Sequence, residues 1–286
     1  MRVVVTGGSG QLARAIRETW TGHEVICPPE AELDLSQQSA IQRVLQQLKP
    51  EVVINAGAFT QVDRCESEET LATLINGTAV AWLAEGCDDL GAKLLQISTD
   101  YVFDGSATQP YRESDPVAPR SAYGRTKLMG EQAAFQCNNH LVARTAWLYD
   151  AWGKNFFLTM VNAARQGRAL RVVADQRGTP TSCRALARQL QTAVEEDWRG
   201  LLHVTCAGET TWHGFAAEIF RNMNIQADLT PCATADYPLP APRPAYSVLD
   251  GSHRRALGTD RMPSWEMALE EVVADFEEAS GTARPV

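Results

Sequence analysis

The opening of the chain constrains its fold more than any other feature. An apolar run, Arg2–Thr6, passes through Gly7-Gly8-Ser9-Gly10 into Gln11–Trp20, where apolar residues recur at helical spacing. A run of that kind, entering a helix through glycines, reads as a buried strand, a tight turn and a helix. The alternation then continues. Glu24–Cys27, Glu51–Ile54, Lys93–Ile97 and Leu141–Arg144 read as strands; Ser39–Leu48, roughly Ser67–Cys87 and Ser121–Gln136 read as helices. Strands interleaved with helices build a parallel sheet covered on both faces, and right-handed crossovers wind it in both directions. The expected class is α/β, with a doubly wound Rossmann-type sheet.

The later half is less regular. Phe156–Arg165, Ala185–Val194, Trp212–Met223 and Ser264–Glu278 have helical spacing, and Ser264 can cap the last of them. Ala169–Val173 and Leu201–Val204 read as strands. Pro231, Pro238, Pro240, Pro242 and Pro244 define a loop, because proline is excluded from helix interiors. The tail Ser280–Val286 is expected to fray.

Composition excludes several classes. With 35 acidic and 26 basic residues the net charge is -9, and no basic block offers nucleic acid or an anionic membrane surface a partner. No apolar run approaches the roughly 18 residues of a membrane span. The opening valines are too few for a signal-peptide core. Seven scattered cysteines without a CxxC pair argue against zinc and for reduced thiols, so the expected compartment is the cytoplasm.

The glycine turn is where chemistry enters. Read as G-x-x-G-x-x-A, Gly7 makes the tight turn, Gly10 lets backbone approach a pyrophosphate, and Ala13 keeps the helix close to the sheet. Gln11 and Leu12 open that helix and offer free N–H groups. The expected ligand is therefore a dinucleotide. An acid at the end of the second strand would grip a ribose 2′-OH, but Cys27-Pro28-Pro29 stands there, with Glu30 and Glu32 slightly late. That absence points to NADPH, with NADH as the alternative and Arg14 or Arg17 near a 2′-phosphate. Asp34 and Leu35 are placed to meet the adenine.

A second motif, Tyr123-x-x-x-Lys127, puts a phenol and an amine on one helix face. An ammonium beside a phenol lowers its pKa, and such a phenol can protonate a carbonyl that receives a hydride. The fourth strand ends in Ser98-Thr99-Asp100-Tyr101, and the third in Asn55-Ala56-Gly57-Ala58-Phe59-Thr60. Ligands of open parallel sheets lie beyond such strand ends. Hydroxyls of Ser98 and Thr99, and the small residues Ala56, Gly57 and Ala58, would all face one crevice.

With these residues in place, the chain resembles the extended short-chain dehydrogenase/reductases, and within them the dTDP-4-dehydrorhamnose reductase branch. The resemblance rests on Gly10-Gln11-Leu12, Val53-Ile54-Asn55-Ala56, Thr60, Val62-Asp63, Ser98–Asp104, Tyr111, Tyr123-Gly124, Lys127, Arg144-Thr145-Ala146-Trp147 and Asn155-Phe156. It continues through Asp175-Gln176, Gly178-Thr179-Pro180-Thr181, Arg243-Pro244, Ser247 and Leu249-Asp250. It implies NAD(P)H-dependent reduction of the 4-keto group of a nucleotide-linked 6-deoxy sugar. Tyr123 would be the proton donor, Lys127 would hold the nicotinamide ribose, and Thr99 would contact the keto oxygen or tune the phenol. Gly10, Gln11, Leu12, Asp34, Leu35, Ala58 and Thr60 would line the coenzyme. Asp100, Tyr101 and Trp147 would contact the sugar, and Arg243 the nucleotide diphosphate.

Some members of that branch form a magnesium-bridged dimer through a glutamate where this chain has Ala15, so no metal is expected and the assembly is a monomer or homodimer. Gly57 and Gly77 stand where alanine is usual. Residues 1–150 are expected to form the coenzyme-binding domain, rejoined by part of 169–200, and 151–286 mainly the sugar-nucleotide domain. Two other readings stay open: an epimerase or dehydratase on the same scaffold, and an NADP-binding regulatory subunit similar to that of methionine adenosyltransferase.

Overall fold

A computed structural model describes residues 1–281. The first half runs β1 (Arg2–Val5), α1 (Gln11–Thr19), β2 (Glu24–Ile26), α2 (Gln38–Leu48), β3 (Val52–Asn55), α3 (Val62–Ser67), α4 (Glu69–Thr73), α5 (Ala79–Leu90), β4 (Lys93–Thr99), α6 (Ala122–Ala134) and β5 (His140–Thr145). The second half runs β6 (Leu148–Tyr149), α7 (Phe156–Arg165), β7 (Leu170–Val173), β8 (Arg177–Gly178), β9 (Thr181–Ser182), α8 (Cys183–Glu195) and β10 (Gly200–His203). It closes with β11 (Thr210–Thr211), α9 (Trp212–Asn222), β12 (Leu229–Cys232), α10 (Ser252–Ala256) and α11 (Trp265–Ala279).

Six strands form one parallel sheet in the order β10-β5-β4-β3-β1-β2. The middles of the strands are apolar runs because both faces are covered. Side chains alternate across the pleat: Val3, Val5, Ile54, Leu95 and Leu141 join the core on one face, while Val4, Val53, Leu94 and Val142 join the core on the other. The chain moves from β1 outward to β2, then crosses back to β3. The reversal leaves a crevice at the carboxyl ends of β1 and β3.

One expectation is corrected. The single helix expected over Ser67–Cys87 is instead α4, a π-helical segment at Leu74–Thr78, and α5, with α3 preceding them. Asn76 and Gly77 in that segment are buried, and the wider π turn delivers Asn76 inward rather than continuing a regular stripe. Within 169–200, α8 packs against α1 of the first half, with Trp20 Nε1 donating to the Ala187 carbonyl, whereas the strand near residue 170 lies outside the main sheet. β7 pairs with β12, and it is β10 that takes the edge beside β5. The serine cap of the last helix is as expected: Ser264 Oγ accepts from Met267 N. Ser280 is bonded back to Phe276 and Gly281 N donates to the Glu278 carbonyl, and residues 282–286 of the tail expected to fray lie outside the described residues.

Candidate active site

A cleft of about 770 Å³ opens over the carboxyl ends of β1, β3, β4 and β5. Its floor is set by a close approach of two loops. Gly7 has a φ of +65°, and a Cβ there would meet Gly57 Cα at 2.7 Å. Gly57 N donates to Thr6 Oγ1 at 2.9 Å, Thr6 donates to Asn55, and Asn55 donates to Gln96 at 2.7 Å. This buried chain of bonds locks the ends of β1, β3 and β4 to one another. Gly10 caps α1 with no side-chain bond, so the N–H groups at the start of that helix face the cleft without a protein acceptor. Such a terminus favours an anion.

The chemical residues converge at the β4 end. Ser121 caps α6 by accepting from Gly124 N, and Glu66 accepts from Ala122 N at 2.8 Å. These bonds fix the first turn of α6, which carries Tyr123. The Tyr101 ring meets Tyr123 edge-on with centroids 5.5 Å apart. Lys127, one turn on, donates to the Ile97 carbonyl at 2.7 Å. Burial brings its amine down to about 8, against the raising effect of Glu131. Beneath it Glu131 is held by Arg144, at 2.8 and 2.7 Å, and by Ser98 at 2.5 Å.

The phenol departs from expectation. Burial pushes the Tyr123 pKa up, the Thr99 hydroxyl pulls it down, and Asp100 and Cys65 raise it further. Lys127 is not among the groups that shift it; its ammonium donates to the Ile97 carbonyl instead. Tyr123 therefore keeps its proton at neutral pH. Asp100 is also raised, to about 6, chiefly by burial. Its Oδ2, like the Thr145 hydroxyl, is buried without a partner. Both residues line the cleft, and orphaned polar atoms in a cleft mark where a ligand's groups belong.

The cleft brings together nearly all the residues expected of it. At the coenzyme side these are Gly7, Gly10, Gln11, Leu12, Asp34, Leu35, Ala56, Gly57, Ala58 and Thr60. At the β4–β5 side they are Thr99, Asp100, Tyr101, Tyr123, Lys127 and Trp147. Arg243 is not among them. It donates to Asp63 Oδ2 at 2.9 Å and lines a small recess beside Tyr101. Arg14 does not wait for a phosphate either: it is paired with Glu18 and lies over the Trp152 ring at 4.3 Å.

Trp147 has a φ of +49°, a conformation rare for a bulky residue, and stacks on Trp212 with centroids 3.5 Å apart. Gly178 makes this possible, since a Cβ there would strike the Trp147 ring at 2.4 Å. Sequence reasoning missed Trp212, Glu30 and Lys154 as lining residues. Trp212 carried only the signal of a helix start. Glu30 was set aside as too late, yet the turn at Pro28-Pro29 brings it to the rim.

The dinucleotide expected from the glycine turn fits this site: an uncapped helix start, a cradle closed by Gly7 against Gly57, and orphaned acceptors opposite. Among the described residues no group of three His, Cys, Asp or Glu stands together as metal ligands. No helix among them is long and apolar enough to cross a membrane.

Comparison with known proteins gives the same direction. A family model for the RmlD substrate binding domain matches residues 1–278. A probable dTDP-4,6-dihydroxy-2-methyloxan-3-one 4-ketoreductase of Streptomyces antibioticus is 41% identical over 282 residues, covering 96% of each chain. The structure of a dTDP-4-dehydrorhamnose reductase from Clostridium acetobutylicum is 42% identical, with a TM-score of 0.93 over 96% of this chain and 98% of that one. A dTDP-4-dehydrorhamnose reductase from Bacillus anthracis, in complex with NADP, is 34% identical with a TM-score of 0.93 over 96% and 99%.

Proposed function

The chain belongs to the RmlD substrate binding domain family, and we propose from that membership that it reduces the 4-keto group of a nucleotide-linked 6-deoxy sugar, dTDP-4-dehydro-L-rhamnose foremost. The observation that carries the reading is Tyr123, a half-buried and protonated phenol beside Thr99 at the end of β4, one turn from Lys127.

Bound on the glycine turn, a nicotinamide coenzyme supplies the hydride. Gln11 and Leu12 would hold its diphosphate through their N–H groups, with Gly10, whose own N–H is donated to the Gly7 carbonyl, letting the backbone approach, and Asp34 and Leu35 would border the adenosine. Ala58 and Thr60 line the other wall. Tyr123 then gives its proton to the keto oxygen as negative charge develops there. Tyr123 carries the proton that a donor needs at working pH. Thr99 orients the oxygen and the phenol, and Lys127 would hold the ribose hydroxyls. Asp100, Tyr101 and Trp147 contact the sugar. Arg243 acts a layer back, tying the proline-rich segment to Asp63. NADPH is the proposed donor, supported by the NADP held in the Bacillus anthracis relative.

The test supplies dTDP-4-dehydro-L-rhamnose with NADPH or NADH and follows loss of nicotinamide absorbance. Stoichiometric consumption is expected, and Tyr123→Phe should lose at least about 10²-fold in kcat with coenzyme binding kept. Turnover without net coenzyme consumption would instead mark an epimerase or dehydratase. Coenzyme binding without turnover on keto sugars would mark a regulatory subunit.

A further inference from the structure

The loop between β6 and α7 lies against the glycine-turn helix and is fastened to it twice. The Trp152 ring receives the Arg14 guanidinium at 4.3 Å, and Asn155 Nδ2 donates to Gln11 Oε1 at 3.2 Å. Asn155 also donates to the carbonyls of Asp150 and Trp152 and caps α7 by accepting from Leu158 N. Between these two fastenings stands Lys154, exposed and lining the cleft. Among the described residues it has no hydrogen-bond or ion-pair partner.

The charges around the cleft give that ammonium a purpose. Glu30, Asp34 and Asp100 line it, and Lys127 is buried against Ile97. Lys154 is thus the one exposed cation on the cleft wall among the described residues. A dinucleotide brings two negative charges to the helix N-terminus beneath Gln11 and Gly10, where N–H groups bind one side of a diphosphate. The opposite side needs a donor, and an uncommitted ammonium lining the cleft on a loop pinned to Gln11 supplies it.

We propose that Lys154 is a binding residue for the coenzyme diphosphate, closing the glycine turn from the second half of the chain. This rests on the coenzyme-dependent reading above and adds a contact that the glycine turn does not predict. The diphosphate is common to NADPH and NADH, so the contact serves both equally.

The experiment measures the dissociation constants of NADPH and NADH by fluorescence on the full-length protein without sugar nucleotide, then steady-state constants for both substrates. Losing one charge-assisted contact, Lys154→Met should weaken both coenzymes by roughly tenfold, by equal factors, with kcat and the sugar-nucleotide KM held. Lys154→Arg should stay near wild type, and the gap between wild type and Lys154→Met should narrow as salt rises. Unchanged coenzyme affinity in Lys154→Met overturns the proposal. So does weakening of NADPH alone, which would make Lys154 a 2′-phosphate reader, or a rise confined to the sugar-nucleotide KM. Should wild type bind neither coenzyme, the functional reading falls together with this one; should wild type bind and Lys154→Met bind equally well, only the inference about Lys154 fails.

Discussion

Asp100 follows the end of β4, with one carboxyl oxygen accepting from Thr99 at 3.0 Å and the other buried without a partner within bonding distance, the nearby Ser247 hydroxyl offsetting only part of the burial. A carboxylate in that setting costs stability. Its pKa rises from 3.8 to about 6, so the folded state holds its proton more tightly than the unfolded chain does. The stability Asp100 contributes is complete below about pH 4 and is lost as pH rises through about 6. A two-unit shift corresponds to about 3 kcal/mol. Asp100→Asn should therefore be more stable than wild type by about 2–3 kcal/mol at pH 7.5, with the gap closing near pH 4. Denaturant midpoints at the two pH values measure it, and a variant less stable than wild type at pH 7.5 would refute the account. The same change should lower turnover, because a charge kept at such a cost in a cleft is expected to serve the ligand.

At the scale of elements, the boundaries of α1, α7, β4 and α11 were legible because each carries an uninterrupted period and a recognisable turn or cap. The cleft was legible for the same reason: strand ends in a parallel sheet must face one edge, so residues after β1, β3 and β4 had to meet. What escaped was anything decided by packing between distant segments. The π turn at Leu74–Thr78 interrupts no apolar pattern, and its meaning lies in Asn76, which accepts from Phe59 N at 2.8 Å. It also donates to Phe59 O and to Thr126 Oγ1, each at 3.1 Å. Those bonds tie the loop after β3 to α6, and hence one coenzyme wall to Tyr123. The commitment of Lys127 to a backbone carbonyl rather than to the phenol was equally invisible, since spacing fixes a shared face and not a partner. Asn76→Ala leaves partly buried backbone groups unpaired and should cost about 2–3 kcal/mol. It should also raise the coenzyme KM more than it lowers kcat, because Ala58, Phe59 and Thr60 form cleft wall. Urea unfolding and steady-state kinetics on the one variant check both. Full stability with altered kcat alone would show that the clamp does something else.

The molecule as a whole does not divide its core as the sequence divides its motifs. Val3, Val5, Ile54 and Leu95 on one face of the sheet share a single cluster with Phe157, Leu186, Leu190, Phe215 and Leu269, all beyond residue 150. Trp20, fully buried, donates from Nε1 to the Ala187 carbonyl, and β10 pairs with Leu141–Arg144 on the outer side of β5. A fragment ending at residue 150 would expose an apolar sheet face and an unpaired strand edge together. Both are costly in water, at about 25 cal/mol per Å² for the face, and the edge invites aggregation. The fragment 1–150 should therefore show no cooperative thermal transition and should bind a hydrophobic dye, although it holds the glycine turn, Thr99, Tyr123 and Lys127. Calorimetry and dye fluorescence on the purified fragment decide the matter. A sharp transition with retained coenzyme binding would mean that the first half is a domain able to stand alone. Its absence would mean that the coenzyme site is built by the whole chain, with α8 and β10 as much a part of it as the glycine turn.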